Sequence, residues 1–321
     1  MTDTPLVTVA VSTYGRSHLL GRLVAALEAQ SLAHSCFEVV VVDNCSPDDT
    51  SAVLGHLAVT TTLQLRFSRA DASRGPAAGR NLAWRQGGAP VVAFTDDDCV
   101  PDPQWLAEGL RALGDGQRIV VGRTEPPADQ AHLTRRAFSR VLQVHDTRFF
   151  ETCNVFYRRA DLEAAGGFEE GFRTPGGEDT DLGLRVLAAG ADEVFAPDAV
   201  VHHDVRPGSF RAVLRETLRW QDIPLVLKRH PGARARLVHH RIFWKPTHPW
   251  AVLAWVGLAL AVRWRPALVL VVPWVVHRLV VTPAAPGPRR RVAALPGAFV
   301  IDTLEVAVMV CGSVRHRTVL L

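Results

Sequence analysis

The chain has 321 residues, 48% hydrophobic and 21% charged, which excludes intrinsic disorder and leaves room for one large domain or a domain with an appendage. Its net charge of +4 hides an asymmetry: residues 1–205 carry 28 acids against 18 arginines, whereas residues 206–321 carry 16 arginines and 2 lysines against 4 acids. An acidic N-terminal part is unsuited to nucleic acid and suited to a cation-loaded site; a basic part running into apolar sequence points to anionic lipid or a lipid phosphate.

The N-terminal segment has no basic stretch ahead of an apolar one, so no signal peptide is expected. Val7–Ser12 is a short apolar strand, and Leu19–Ser31 reads as a helix with Leu20, Leu23, Val24 and Leu27 on one face. Phe37–Val42 is a second buried strand, Asp48–Leu57 a helix, Leu63–Phe67 a strand, and Gly75–Gly87 a helix opened by a Gly-Pro pair. Pro90–Thr95 is a fourth strand and Pro103–Leu113 a helix. This alternation predicts a parallel, doubly wound sheet, in which ligands bind at the carboxyl ends of the strands. Three polar clusters fall at such ends: Ser12-Thr13-Tyr14, Asp43-Asn44 and Asp96-Asp97-Asp98.

Beyond residue 117, Arg118–Gly122 and Thr152–Tyr157 read as strands, Thr180–Ala189 as a helix, and Glu193–Ala196 and Ala199–His203 as short extended segments. From Trp250 the character changes. Trp250–Val262 is apolar, Arg263-Trp264-Arg265-Pro266 interrupts, Ala267–Val276 is apolar again, and Val292–Val314 is apolar but carries Asp302 and Glu305. None matches the roughly 20 uninterrupted apolar residues of a simple span. Two short helices around an Arg-Pro break, flanked by Trp250, Trp255, Trp264 and Trp274, suit a re-entrant or interfacial arrangement. The five cysteines lack a CxxC spacing and are odd in number, so neither a disulfide framework nor a zinc ribbon is expected and packing is their simplest role.

Three adjacent carboxylates at Asp96-Asp97-Asp98 repel one another and persist where a cation or solvent neutralises them. In an extended segment Asp96 and Asp98 face one way and Asp97 the other, and their hard oxygens suit Mg²⁺ or Mn²⁺. In Ser73-Arg74-Gly75-Pro76-Ala77-Ala78-Gly79-Arg80, the glycines permit close backbone approach to a ligand and the arginines can contact phosphate. Gly176-Gly177 leads into a helix, with Glu178 and Asp179 just before or within its first turn, where either can act as a general base or simply favour the helix N-terminus. His202 and His203 follow a β-like run, where a histidine can ligate a metal.

In this order the segments VSTYGR (11–16), VVDNCSPD (41–48), SRGPAAGRNLAW (73–84), FTDDDCVPDPQWL (94–106), CNVFYRR (153–159), GGEDTDLGLRVLAAG (176–190) and AVVHHD (199–204) resemble family 2 glycosyltransferases over about residues 5–230. The Arg-rich stretch and apolar tail look like those of membrane-associated actinobacterial members. The resemblance implies a GT-A-type α/β fold with a doubly wound mixed sheet over residues 1–235, followed by a basic, apolar, helical, membrane-associated region over 236–321. It also implies a nucleotide-diphosphate sugar donor, a divalent Mn²⁺ or Mg²⁺ cofactor and inversion at the anomeric carbon. Within that pattern Asp43 matches the acid at the nucleobase, Thr13 and Tyr14 lie beside the nucleoside, and Arg80 is near the ribose or diphosphate. Asp96 and Asp98 match the DxD pair, with Asp98 as direct metal ligand. His203, or else His202, matches the late metal-binding histidine, Asp179 the general base, and Glu178 its neighbour at the acceptor.

The processive synthases' QxxRW motif is missing: Arg219-Trp220 occurs with Glu216 at the Gln position, which favours transfer of one sugar. A lipid-linked or cell-envelope saccharide acceptor, reached at the cytoplasmic face of the membrane, fits the C-terminal region, and nucleic acid is not an expected partner. A nucleotidyltransferase would need a Gly-rich loop after the first strand, where there is a single glycine, Gly15. An inactive scaffold would tolerate degenerate carboxylates, yet Asp96, Asp98 and Asp179 are all in place.

Overall fold

The computed structural model describes residues 4–116, 118–134, 136, 138–172, 175–281 and 287–321. The chain divides into two compact units, one of Met1–Ala128 and Val141–Asp204, the other of Asp129–Arg140 and Val205–Leu321.

In the first unit the strands are β1 (Val7–Thr13), β2 (Phe37–Asp43), β3 (Gln64–Arg69), β4 (Val91–Phe94), β5 (Cys99–Pro101), β6 (Arg118–Glu125), β7 (Val155–Arg158) and β8 (Asp192–His203). The helices are α1 (Ser17–Glu28), α2 (Thr50–Thr60), α3 (Pro76–Gln86), α4 (Trp105–Leu113), α5 (Arg159–Ala165) and α6 (Glu178–Ala188). Among the described residues the strands form one sheet in the order β3-β2-β1-β4-β7-β6-β8-β5. β2 is buried along its whole length and β1 almost so, as expected of valine-rich parallel strands covered on both faces. β3, at the sheet edge, is exposed at four of its six residues.

The parallel half expected from strand–helix alternation is β3-β2-β1-β4. Beyond it the sheet is mixed: β7 runs antiparallel to β4 and β6, β8 is parallel to β6, and β5 is antiparallel to β8. The cause is in the connections. Among the described residues the long stretch joining β6 and β7 holds no crossover α-helix to impose a parallel return. β8 is one strand where two segments were expected. Its register against β6 jumps between Gly122 and Arg123, passing over residues 197–199. Pro197 has no N–H to give the ladder, and the strand bulges there instead of ending.

The second unit holds α7 (Phe210–Thr217), α8 (Ile223–Arg229), α9 (Arg234–Leu237), α10 (His248–Ala261), α11 (Val272–Val276) and α12 (Pro288–His316). The Arg-Pro break separates α10 from a 3-10 turn, Arg265–Val271, that leads into α11. A Cβ on Gly257 would lie 2.9 Å from the Ala267 carbonyl and 2.8 Å from Leu270 Cβ, so the missing side chain lets the hairpin close. Ala251, Ala254, Trp274 and Ala298 form its core. α12 is long and apolar enough to cross a membrane by length and composition, although the expectation was that no stretch would qualify. Its two acids are turned inward. Asp302 accepts from Trp274 Nε1 at 2.8 Å and from Arg278 Nε at 2.9 Å, and Glu305 binds Lys245 and His248. Trp274 is therefore a core residue and not part of an interfacial belt, whereas Trp264 is 62% exposed.

Candidate active site

β1 and β2 end in register, Thr13 opposite Asp43, and β4 ends beside them at Phe94. The three polar clusters therefore share the carboxyl edge of one sheet. Asp43 is fully buried. Its Oδ1 accepts from the Ser46 amide at 2.7 Å, and its Oδ2 accepts from Arg69 Nη1 at 2.7 Å and from the Ser51 hydroxyl. Burial alone would raise its pKa, but these partners together hold it below the usual carboxylate range. Tyr14 is half exposed in the loop after β1, and Thr13 is buried.

The acidic triplet does not stay extended. Asp97 and Asp98 lie in a turn between β4 and β5, so strict alternation fails. Asp97 points inward, where Thr13 Oγ1 and Arg16 Nη1 each donate to it at 2.7 Å, and burial still pushes its pKa up. The same Arg16 nitrogen lies 3.5 Å from Asp98. Asp96 turns the other way, to Arg80 Nη2 at 3.0 Å. Burial raises its pKa, but Arg80 and His203 outweigh that and leave it lowered.

Arg80 is carried on α3, and its other nitrogen reaches Glu178 at 3.2 Å. Charges on Asp96, Glu178 and Asp179 raise the guanidinium's pKa against a burial penalty. α3 comes this close to the sheet because a Cβ on Gly79 would sit 2.1 Å from Ser12 Oγ. Gly79 thus serves helix–strand packing, and ligand approach is not needed to explain it. Gly75 caps α3 at φ +88°, a backbone conformation that favours glycine. Arg74 lies apart from this cluster, paired with Glu170. α6 begins at Glu178 behind Gly177, which has φ +105°. Glu178 is buried, and Asp179 sits in the first turn, accepting from the Thr180 amide at 2.9 Å.

Antiparallel pairing of β5 with β8 sets Cys99 opposite His203. His203 Nε2 then lies 3.5 Å from Asp98 Oδ1, both side chains being buried. His203 Nδ1 is 3.0 Å from the Asp204 carbonyl. A carbonyl only accepts, so Nδ1 donates this bond and the ring is held with its Nε2 directed at Asp98. His202 is on the other side of the strand, 3.9 Å from Glu125. An oxygen and an imidazole nitrogen converging in a buried place form a donor set that fits a divalent cation, and the backbone carbonyl supplies the outer hydrogen bond that orients such a histidine.

Three residues of this neighbourhood were given no role by the sequence. Arg69 is paired in register with Asp43 across β2 and β3, and Arg16 follows the β1 loop. Cys99 belongs with Asp98 and His203 in a group whose ligand atoms all lie within 4.8 Å of one another. Arg16 follows β1 and Arg69 ends β3, strands that carry no acid, so nothing in their local sequence marks the two arginines, and nothing marks Cys99.

A mixed α/β sheet with acids and a histidine gathered at the carboxyl edge matches the GT-A class of glycosyltransferase. The fold aligns with mannosyltransferase PcManGT from Pyrobaculum calidifontis, solved in complex with GDP-Man and Mn²⁺, at TM-score 0.60 and 22% identity, covering 98% of this chain and 87% of that one. The chain matches glycosyl transferase family 2 over residues 8–166 and glycosyl transferase family group 2 over residues 91–282, and it belongs to the family 2 glycosyltransferases. It is 29% identical over 227 residues to glycosyltransferase AglE of Haloferax volcanii, covering 68% of this chain and 73% of AglE. It is also 29% identical over 221 residues to validoxylamine A glucosyltransferase of Streptomyces hygroscopicus subsp. jinggangensis, covering 58% of this chain and 52% of that protein, about half the relative's length.

Proposed function

We propose that the chain transfers one sugar from a nucleotide-diphosphate sugar to a hydroxyl acceptor, with inversion and with a divalent cation held by Asp98 and His203. The observation that carries this reading is Arg80, whose two nitrogens reach Asp96 at 3.0 Å and Glu178 at 3.2 Å. Through it the α6 loop and the strand-end acids face one place, as a reaction between a donor and an acceptor requires.

Asp43, Thr13 and Tyr14 hold the nucleoside at the ends of β1 and β2. Asp96 and Arg80 bind the ribose and diphosphate, and the Arg80 guanidinium meets the negative charge that builds on the leaving diphosphate. When bound, the cation would offset that same charge as a Lewis acid. The imidazole of His203 favours Mn²⁺ over the strictly oxygen-seeking Mg²⁺, in keeping with the Mn²⁺ in the PcManGT complex. Asp179 takes the proton from the acceptor hydroxyl as it attacks the anomeric carbon from the face opposite the leaving group, and Glu178 orients the acceptor. Opposite-face attack inverts the centre and needs no covalent enzyme intermediate. The lack of a QxxRW motif supports a single transfer. The acceptor is a lipid-linked or cell-envelope saccharide at the cytoplasmic face of the membrane, a reading supported by the Arg-rich, apolar second unit.

The test is nucleoside diphosphate release from a panel of nucleotide sugars with Mn²⁺ or Mg²⁺, with and without EDTA. One donor should be turned over, and turnover should vanish with EDTA and in Asp98→Ala. Asp179→Asn should slow transfer by about 10²–10⁴-fold while leaving donor affinity nearly unchanged. Undiminished turnover in Asp179→Asn overturns the base assignment, and metal-independent release overturns the cation.

A further inference from the structure

Cys99 is a ligand-bearing residue of the cation neighbourhood that the reaction above does not use. It is buried on β5 directly opposite His203 on β8, so the two side chains share one face of the sheet. Asp98 precedes it in the turn, and one ligand atom from each of the three residues falls in a group spanning at most 4.8 Å. Around a tetrahedral ion with bonds of about 2.0–2.3 Å, ligand atoms stand roughly 3.3–3.8 Å apart. Side-chain adjustments of about an ångström would close this group onto such an ion. Oxygen, nitrogen and sulfur together are the donor set of zinc-like ions, whereas Mg²⁺ and Mn²⁺ have little use for a thiolate.

We propose that Cys99 completes a second, thiophilic cation mode of this site, in which Zn²⁺ or Cd²⁺ binds Asp98, His203 and Cys99 together. The inference rests on the reading of Asp98 and His203 as cation ligands. A hard ion uses the carboxylate and the imidazole and leaves the thiol protonated. A soft ion forms a bond to Cys99 Sγ as well, and the thiol proton passes to solvent. Competition between the two kinds of ion makes the enzyme sensitive to zinc, which binds more tightly than Mn²⁺ to a site of this composition.

The experiment uses full-length, metal-stripped protein without donor. Cd²⁺ and Co²⁺ are titrated while the thiolate-to-metal charge-transfer absorbance is followed, and Mn²⁺ binding is followed separately by loss of the free-ion EPR signal. The band should be stoichiometric in the wild type and in a chain whose other cysteines, Cys36, Cys45, Cys153 and Cys311, are all changed to alanine. It should be absent in Cys99→Ala, where Cd²⁺ affinity should fall by at least the roughly tenfold that loss of an outer hydrogen-bond partner costs a metal site. No band in the wild type overturns the proposal without recourse to any variant, as does a band that persists in Cys99→Ala. Mn²⁺ binding with no thiolate band removes Cys99 alone. Failure to bind Mn²⁺ at all removes the reading of Asp98 and His203 with it.

Discussion

Asp43 and Asp97 are both buried acids, and their surroundings push them in opposite directions. Asp43 has Arg69, Ser46 and Ser51 as donors and is held low; Asp97 has Arg16 and Thr13, but burial and its two acidic neighbours prevail. A carboxyl whose folded pKa is depressed stabilises the fold fully above its unfolded pKa, about 3.9, and loses that contribution as pH falls through the lower folded value. Wild type should therefore be more stable than Asp43→Asn near neutrality, by a margin that shrinks as pH drops below about 4. Denaturant midpoints measured from neutral to acid pH test this, and a margin that does not change with pH contradicts it. Such opposite outcomes were not legible in the sequence. Asp43 and Asp97 each look like an acid after a valine-rich strand, and what separates them is which basic side chain arrives from elsewhere.

At the scale of elements, the site depends on how closely α3 lies against β1. Gly79 permits that distance, since any Cβ would collide with Ser12 at 2.1 Å. Gly79→Ala should destabilise the chain by about 1–3 kcal/mol, as overpacking does. Because Arg80 is the next residue, the same change should also raise the KM for donor more than it lowers kcat at saturation. Chemical denaturation and steady-state kinetics would read the two effects, and a variant equal to wild type in both would show that the helix is not held where Gly79 puts it. The sequence suggested that both glycines of this loop serve ligand approach. The geometry gives each a further use: Gly75 answers a backbone angle and Gly79 a packing distance. Local sequence marks a glycine but does not say which of its properties is used. The β8 bulge has the same lesson, for the gap between the expected segments Glu193–Ala196 and Ala199–His203 is a break in pairing within one strand.

For the whole molecule, charge and hydropathy separate along the chain. Besides Trp264, the second unit exposes Val262 at 81% and Val269 at 65%, alongside Arg263 and Arg265. Exposed apolar residues interleaved with arginine suit the headgroup region of an anionic bilayer. The full-length chain should sediment with vesicles containing anionic lipid, less so with zwitterionic vesicles or at high salt. Val262→Glu with Trp264→Glu should weaken partition on the order of tenfold or more, since each such side chain contributes about 1.5–3 kcal/mol when buried. Equal sedimentation of variant and wild type would remove the membrane from the proposed function.

Sequence alone determined the elements of the parallel half, the family, and the three polar clusters now gathered at the sheet edge. These are written locally, in runs of valine, in the helical spacing of leucines and in short ordered motifs. Tertiary structure decided what meets what. Arg80 and Glu178 are 98 residues apart in the chain and 3.2 Å apart in space, and His203 reaches Asp98 only because β5 pairs with β8. It also decided that Asp302 and Glu305, which interrupt an apolar run on paper, face inward to cationic partners. Periodicity is a property of a single element and can be read from its residues. A contact between elements depends on sheet order, register and helix approach, which the packing of the whole chain selects.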